Sequence, residues 1–267
     1  MLKVHPIQAY QDNYIWCIED AQTQSCIIVD PGDAAPVIQH LQSRRLTIDT
    51  ILVTHHHWDH VDGINDLVSY TQQQTGRHID VYGPLNTKIP QVTHPLKQGD
   101  EIILLGTTFE LSAVPGHTLD HLSYYSPSDS THATPWLFCG DTLFSAGCGR
   151  LFEGTPEQML NSLKHLASYP ASTEVYCTHE YTLANLVFTV AVIPHNPSVK
   201  QYLEACQKKR ELNIPTLPST IITEREINPF LNCDKPEVQN AVSRHTQSPY
   251  INELDTFTRL RQWKDSF

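Results

Sequence analysis

Residues 53–63, VTHHHWDHVDG, constrain the fold of this chain more than any other segment. They place four histidines and two aspartates within eleven positions, directly after the buried-strand pattern TILV. Alternate side chains of an extended chain share one side, so His55 and His57 are predicted to project together and His56 away from them. A solvated loop has no reason to crowd metal-capable groups in this way. The segment therefore predicts a metal site at the end of a strand.

Three later segments repeat the pattern of an apolar strand followed by a metal-capable residue. AVPGHT places His117 after a β-rich run, WLFCGDT does the same for Asp141, and EVYCTHEY for His179. Loops that follow strands in α/β sheets converge at one edge, where ligands usually bind. Asp59 and His60, in the turn that opens the helix after the histidine run, are predicted to join them there.

The predicted ligands are five histidines and two aspartates: His55, His57, His60, His117, His179, Asp59 and Asp141. A catalytic zinc ion takes about three protein ligands and a structural one about four, so seven are too many for one ion. They suit two ions that share one carboxylate. Imidazole and carboxylate without thiolate favour zinc, iron or manganese in an open catalytic site. Two such ions about 3.5–4 Å apart can activate a shared water, which predicts metal-assisted hydrolysis.

Composition narrows the partners and the compartment. Eighteen lysines and arginines against 29 aspartates and glutamates give a net charge of −11, which disfavours nucleic acid as a partner. No apolar run approaches the roughly 18 residues of a membrane helix, and the N-terminus lacks an export-signal pattern. Seven cysteines without a CxxC pair indicate reduced thiols. We therefore expect a cytoplasmic protein without membrane or nucleic-acid partners, with a monomer as the default state.

The chain changes texture near residue 180. Before it, short β-rich runs alternate with helical patterns, which predicts a layered α/β domain over residues 1–179. After it, helix-like periodicity dominates, which predicts a smaller helical domain over residues 180–267. Thr155 is a candidate N-cap. The helical patterns of the first domain span residues 34–44, 61–74 and 156–168, and residues 126–135 are predicted to form an exposed loop.

The motifs THHHWDHVDG, PGHT, CGDTLF and THEYT resemble those of the metallo-β-lactamase superfamily. Within it, the chain resembles the hydroxyacylglutathione hydrolase (glyoxalase II) family, from DNY at 12–14 through GDTLFSAGCGRLFEGT at 140–155 to the C-terminal RQWKDSF. This resemblance implies a four-layer αββα sandwich followed by a helical domain that helps to close the substrate site. It also implies hydrolysis of S-D-lactoylglutathione to glutathione and D-lactate, the second step of methylglyoxal detoxification.

The resemblance also implies how two divalent metal ions are held. It assigns His55, His57 and His117 to the first ion, Asp59, His60 and His179 to the second, and Asp141 to both. Asp59 and Asp141 thereby hold the metal-bridging hydroxide that attacks the thioester. Zinc is the expected metal, with iron or manganese as alternatives that suit the same ligands.

Glutathione contacts carry over from the family less evenly. Tyr181 matches a tyrosine that binds the glutathione moiety, and Arg261 and Lys264 match basic residues that reach its carboxylates. Arg150 stands where some members have lysine, and Phe152 where some have tyrosine. The arginine keeps the charge in a different geometry, whereas the phenylalanine removes a hydroxyl contact.

Four residues near the predicted ligands are expected to stay outside the chemistry. His56 points away by strand parity, and His121 is expected at most to support a ligand. Cys139 lies within an apolar strand and Cys148 within a glycine-rich turn, so we predict structural roles for both. A thiolate leaves a thioester readily, so neither a protein nucleophile nor a dedicated general acid is required.

Three alternatives come from other functional classes. A mononuclear-iron persulfide dioxygenase of the same superfamily would need one His/His/Asp set, whereas this chain has a second set in Asp59, His60 and His179. A nuclease with the same metal core would be expected to carry a basic platform, which a net charge of −11 disfavours. A non-enzymatic metal-binding protein would have no reason to keep ligand positions open to substrate.

Overall fold

The computed structural model describes residues 1–86 and 88–267. They form two compact units, one of Met1–Ala113 with Asp120–Gly140 and one of Val114–Leu119 with Asp141–Phe267. Within the described ranges, no helix is both long and apolar enough to cross a membrane. The predicted domain boundary between residues 179 and 180 rests on a change in sequence pattern and stays a prediction.

The first unit contains ten strands and three helices among its described residues. These are β1 (Leu2–Ala9), β2 (Asn13–Asp20), β3 (Ser25–Val29), α1 (Ala34–Arg44), β4 (Thr47–Leu52), α2 (Trp58–Val61), α3 (Ile64–Thr75), β5 (Asp80–Pro84), β6 (His94–Leu96), β7 (Glu101–Leu104), β8 (Thr107–Ala113), β9 (Leu122–Ser126) and β10 (Trp136–Gly140). Strands β1 to β6 pair in chain order, antiparallel up to β3 and parallel from there on. Strands β7 to β10 pair in antiparallel succession.

Both faces of the first sheet, formed by β1 to β6, carry apolar residues that are buried within the unit. On one face, Leu41 of α1 and Leu67 of α3 join Ile51 of β4 in one buried apolar cluster. Every residue of β2 from Asn13 to Glu19 is buried, so its other face is covered as well. The hydroxyl of Tyr124 in β9 donates to the carbonyl of Val53 at 2.7 Å, which anchors the end of β4. The histidine run thus leaves a strand whose end is fixed.

The second unit is mainly helical, and its residues 182–265 carry the helices that sequence periodicity predicted after residue 180. Its elements are β11 (Leu143–Phe144), β12 (Gly147–Cys148), α4 (Pro156–Leu166), β13 (Glu174–Cys177), α5 (Thr182–Val192), α6 (Pro197–Glu211), β14 (Ser219–Thr220), α7 (Ile221–Ile227), a 3-10 turn (Pro229–Leu231), α8 (Pro236–Thr246) and α9 (Glu253–Asp265). Strands β11 and β12 form a short hairpin, and β13 pairs with β14.

Two sequence-based expectations need correction. The helix predicted over 61–74 is interrupted, because Asp62 and Gly63 separate α2 from α3. A Cβ at Gly63 would lie 2.7 Å from the carbonyl oxygen of Pro31, so this close approach needs glycine. The loop predicted over 126–135 is exposed only in part, since His132 is 3% exposed and its ring stacks on Trp136 at 3.7 Å between centroids.

The start of α4 offers a direct test of a predicted cap. Thr155 accepts the backbone N–H of Gln158 at 3.2 Å, and the Gln158 side chain accepts the N–H of Thr155 at 2.8 Å. Thr155→Ala should lower the free energy of unfolding by about 1 kcal/mol, measured by chemical denaturation. Thr155→Asp keeps an acceptor oxygen and should retain the stability; an equal loss in both variants would contradict the capping role.

Candidate metal centre

The histidine run starts from an anchored residue, Thr54. Its backbone N–H and its hydroxyl donate to the two carboxylate oxygens of Asp30 at 2.7 and 2.8 Å. Its carbonyl accepts the N–H of Leu122 at 2.8 Å. Asp30 is 1% exposed and follows β3 directly, in the same strand-then-acid pattern as the predicted ligands. Sequence analysis did not single out Asp30, although this pattern could have identified it.

His55 and His57 point to one place, as strand parity predicted. Nε2 of His55 and Nδ1 of His57 lie 3.1 Å apart. Two atoms bound to one zinc ion at tetrahedral geometry, with bonds of roughly 2.0–2.1 Å, lie about 3.3 Å apart. The two nitrogens are therefore spaced as ligands of one metal ion are.

Asp59 and His60 are held by partners from the strands before them. The side-chain amide of Asn13 donates to Oδ2 of Asp59 at 3.0 Å. Nδ1 of His60 lies 3.1 Å from Oδ2 of Asp30, and its Nε2 lies 3.7 Å from Oδ2 of Asp59. With Nδ1 turned to a carboxylate, Nε2 is the nitrogen that a metal would take, the usual arrangement of a ligating histidine. A Cβ at Gly32 would overlap the Asp59 carbonyl, so this packing requires glycine there.

His56 turns to other partners. Its Nδ1 lies 2.9 Å from the carboxylate of Asp120, and its Nε2 lies 2.9 Å from Nζ of Lys88. A lysine ammonium can only donate, so Nε2 accepts and Nδ1 carries the proton that goes to Asp120. His121 also lies close by: its ring stacks on His55 at 4.6 Å, and its Nδ1 lies 3.0 Å from the carbonyl of Leu122. His56 and His121 therefore lie beside the His55–His57 pair, and these ring nitrogens face groups outside the predicted ligand set.

In the second unit, one carboxylate oxygen lies between two imidazoles. Oδ2 of Asp141 is 3.4 Å from Nε2 of His117 and 3.3 Å from Nε2 of His179. All three side chains are at most 6% exposed. Nδ1 of His117 lies 2.9 Å from the carbonyl of Arg150, so it carries the proton and leaves Nε2 as the metal-binding nitrogen. Both distances match the spacing of about 3.3 Å expected between ligands of one ion.

The nitrogen and oxygen donors of these clusters fit a divalent metal ion. Their donor atoms are spaced as ligands are. Nδ1 of His117 faces the Arg150 carbonyl and Nδ1 of His60 lies 3.1 Å from the Asp30 carboxylate, which leaves Nε2 of each ring for a metal. Buried imidazole and carboxylate groups of this kind suit zinc, iron or manganese alike. The clusters are therefore suited to a divalent metal ion and do not select among these three metals.

Aromatic and basic residues of the same unit adjoin His117 and His179. The Tyr181 ring stacks parallel on His179 at 4.7 Å and is 37% exposed. The Phe152 ring meets His117 edge-on at 5.2 Å and is 63% exposed. The Arg150 side chain is exposed, with Nε 3.9 Å from the carboxylate of Asp265. Two of the five predicted substrate contacts, Tyr181 and Phe152, thus have their side chains beside metal-capable histidines, and Arg150 adjoins His117 through its backbone carbonyl.

Arg261 and Lys264 differ in environment although they are one helical turn apart. Arg261 is 4% exposed, and its guanidinium donates to the Cys148 carbonyl at 3.0 Å and to Asp265 at 2.9 Å. Nζ of Lys264 lies over the Phe188 ring at 5.1 Å. Burial lowers the pKa of Lys264, and the charge of Arg261 lowers it further. Lys264 is therefore the more accessible of the two cations.

Neither cysteine near Asp141 is suited to nucleophilic attack. Cys139 is fully buried and Cys148 is 5% exposed. Burial raises the pKa of the Cys148 thiol, and the nearby Arg261 guanidinium lowers it by less. A thiol held protonated is a poor nucleophile, so the structural role predicted for Cys148 agrees with its surroundings.

Comparison with known proteins defines the class of this fold. The family model of the metallo-β-lactamase superfamily matches residues 12–179. A solved structure of TTHA1623 in a di-iron-bound form is 27% identical, with a TM-score of 0.53, over 66% of this chain and 91% of that one. The chain is a member of the metallo-β-lactamase superfamily, which confirms the predicted fold class.

The second match narrows the assignment. A family model described as the hydroxyacylglutathione hydrolase C-terminus matches residues 180–267. Relatives named hydroxyacylglutathione hydrolase from Vibrio parahaemolyticus and Chromohalobacter salexigens are 46% and 49% identical over the whole of both chains. The chain belongs to the hydroxyacylglutathione hydrolase family.

Two neighbouring histidines provide a test of the ligand set. His57→Gln should lower the metal content of the purified protein, measured by elemental analysis, because it removes one nitrogen of the His55–His57 pair. His56→Gln should keep the wild-type metal content, because both ring nitrogens of His56 face non-ligand side chains. Equal depletion in the two variants would argue against this division of the histidine run.

Proposed function

We propose that this chain hydrolyses the thioester of S-D-lactoylglutathione and related 2-hydroxyacylglutathiones to glutathione and the free hydroxy acid. The observation that carries the proposal is the position of Asp141 Oδ2, 3.4 Å from His117 and 3.3 Å from His179, as a carboxylate shared by two metals would lie. Relatives that match the chain from end to end carry the name of this activity.

We further propose that two divalent ions bind, most favourably zinc, with iron or manganese suited to the same donors. The di-iron form of the TTHA1623 structure supports a two-ion site on this fold. The proposed ligands are His55, His57 and His117 for one ion, Asp59, His60 and His179 for the other, and Asp141 for both. Bound there, the ions would lower the pKa of a shared water and polarise the thioester carbonyl.

The chain's own residues would then bind and orient the glutathione moiety. The exposed guanidinium of Arg150 can take a carboxylate with two parallel hydrogen bonds, and the Lys264 ammonium can add a second positive charge. Tyr181, stacked on His179, offers a hydroxyl at the side of that ligand. Phe152 offers an apolar edge beside His117. Arg261 as a direct contact stays a prediction, since its guanidinium already bonds to Cys148 and Asp265.

Departure of the product needs little help from the protein. A thiol pKa is about 8.5, so glutathione leaves a tetrahedral intermediate as a thiolate without a general acid. The buried Cys148 thiol is not required as a nucleophile, since burial raises its pKa.

All seven cysteines are free thiols, which supports a reducing, cytosolic compartment.

The decisive experiment combines metal analysis with thiol release. Wild-type protein should bind two metal ions per chain and release free thiol from S-D-lactoylglutathione. Asp141→Asn should lower both the metal content and the rate, because it weakens a ligand shared by two ions. Cys148→Ala should keep most of the turnover.

Each result has a counterpart that would refute the proposal. One iron per chain without thiol release would favour the persulfide dioxygenase alternative. A fully active Asp141→Asn variant would refute the shared-ligand role. Complete loss of turnover in Cys148→Ala with metals still bound would point to a protein nucleophile.

A further inference from the structure

Residues 144–148, which we term the 144–148 turn, join β11 to β12 a few residues after Asp141. We propose that polar side chains of the following helices, above all Asn228 and Glu224, are positioning residues that hold this turn and thereby fix Asp141. This inference rests on the proposed function for its catalytic consequence. Its test includes metal binding, which does not depend on the substrate.

Each of the five backbone carbonyls in the turn accepts a hydrogen bond from a side chain. The donors are the Asn228 amide to Phe144 and Gly147 at 3.2 and 2.9 Å, the Asn185 amide to Ser145 at 3.0 Å, the Thr189 hydroxyl to Ala146 at 3.3 Å, and the Arg261 guanidinium to Cys148 at 3.0 Å. These donors belong to α5, the end of α7 and α9. Helices far apart in sequence thus converge on one short loop.

The backbone N–H at the tip of the turn is held in the same way. Ala146 has a φ of +56°, a left-handed conformation that a non-glycine residue keeps only when its surroundings impose it. Its N–H donates to Oε2 of Glu224 at 2.8 Å, and the Asn228 amide lies 3.2 Å from the same oxygen. Glu224 is fully buried, and burial raises its pKa. A buried carboxyl group is costly, so its place against this turn indicates a specific role.

The 144–148 turn and the two residues that follow it, Gly149 and Arg150, adjoin the predicted metal ligands of the same unit at three points. The N–H of Gly149 donates to the carbonyl of Thr142 at 3.1 Å, and a Cβ at Gly149 would overlap the Asp141 carbonyl. The Phe144 ring meets His179 edge-on at 5.8 Å. The Arg150 carbonyl fixes Nδ1 of His117 at 2.9 Å. A shift of the turn would therefore move Asp141 and disturb both imidazoles that face it.

Asn228→Asp removes the donors with little change of shape, and it also places a carboxylate oxygen about 3.2 Å from the Glu224 carboxyl, which adds to the disturbance of the turn. Oδ1 of Asn228 accepts the N–H of Phe230 at 3.1 Å, and an aspartate keeps this cap while losing both bonds to the turn. The matched control is Asn232→Asp, whose amide donates to the Arg225 and Asn228 carbonyls and to neither strand of the turn. Loss of a group that orients a ligand typically weakens metal affinity by about 10- to 100-fold.

The experiment measures metal dissociation by chelator competition and thiol release on variants whose folding is checked by thermal unfolding. Asn228→Asp should weaken metal binding by about 10-fold or more, whereas Asn232→Asp should stay near wild type. Thr189→Val, which deletes one donor of the turn at constant shape, should weaken metal binding in the same direction but by less, about 2- to 10-fold, as expected for one hydrogen bond. Its control is Thr256→Val, equally buried but bonded to the Asn252 carbonyl.

Metal affinities of Asn228→Asp and Thr189→Val equal to those of their controls would overturn the proposal. If Asn228→Asp does not fold, the Thr189 and Thr256 pair decides the question alone. Failure of wild-type protein to release thiol would refute the proposed function, and the metal-binding comparison would still test the role of the turn.

Discussion

The close approach of Asp141 Oδ2 to the imidazoles of His117 and His179 is the interaction on which the proposed chemistry of the second unit depends. This oxygen lies 3.4 Å from Nε2 of His117 and 3.3 Å from Nε2 of His179. Two ligands of one ion lie about 3.3 Å apart, so a small displacement of Asp141 would spoil the spacing. A buried carboxylate costs free energy unless hydrogen bonds or a metal ion compensate it. Three features keep Asp141 and His117 in place: the close approach of Gly149 to Asp141, the hydrogen bonds to the 144–148 turn, and the Arg150 carbonyl that faces His117. The helices after residue 180 therefore support the chemistry of residues before it.

The candidate ligands could be singled out in the sequence because each one is marked locally. An apolar strand followed by histidine or aspartate is visible within one short segment, as with His117, Asp141 and His179. Apart from Asp30, which follows β3 directly, the residues that orient these side chains carry no such mark. Asn13 reaches Asp59 across 46 positions, and Asn228 reaches Gly147 across 81. Only the fold brings such pairs together, so periodicity and motif spacing could not have identified them.

Hydrogen-bond geometry alone does not define a functional site. Nε2 of His132 lies 3.2 Å from Oγ of Ser126, and its Nδ1 lies 3.2 Å from the carboxylate of Asp129, the order of a Ser–His–Asp triad. Ser126 is fully buried, however, and hydrogen bonds from Thr131 hold the pKa of Asp129 at about 2 against the effect of partial burial. The group ties down a loop that the sequence led us to expect exposed.

Exposure also separates residues that sequence spacing treats alike. Arg261 and Lys264 lie on one turn of α9, and the family resemblance assigns both to the glutathione carboxylates. In the structure, the Arg261 guanidinium is buried and bonds to the Cys148 carbonyl, whereas Lys264 remains half-buried beside Phe188. A guanidinium with its donors already engaged has to give up bonds before it can take a carboxylate, which reduces the net gain. The same arginine contributes to the site by holding the 144–148 turn, whether or not it also reaches the substrate.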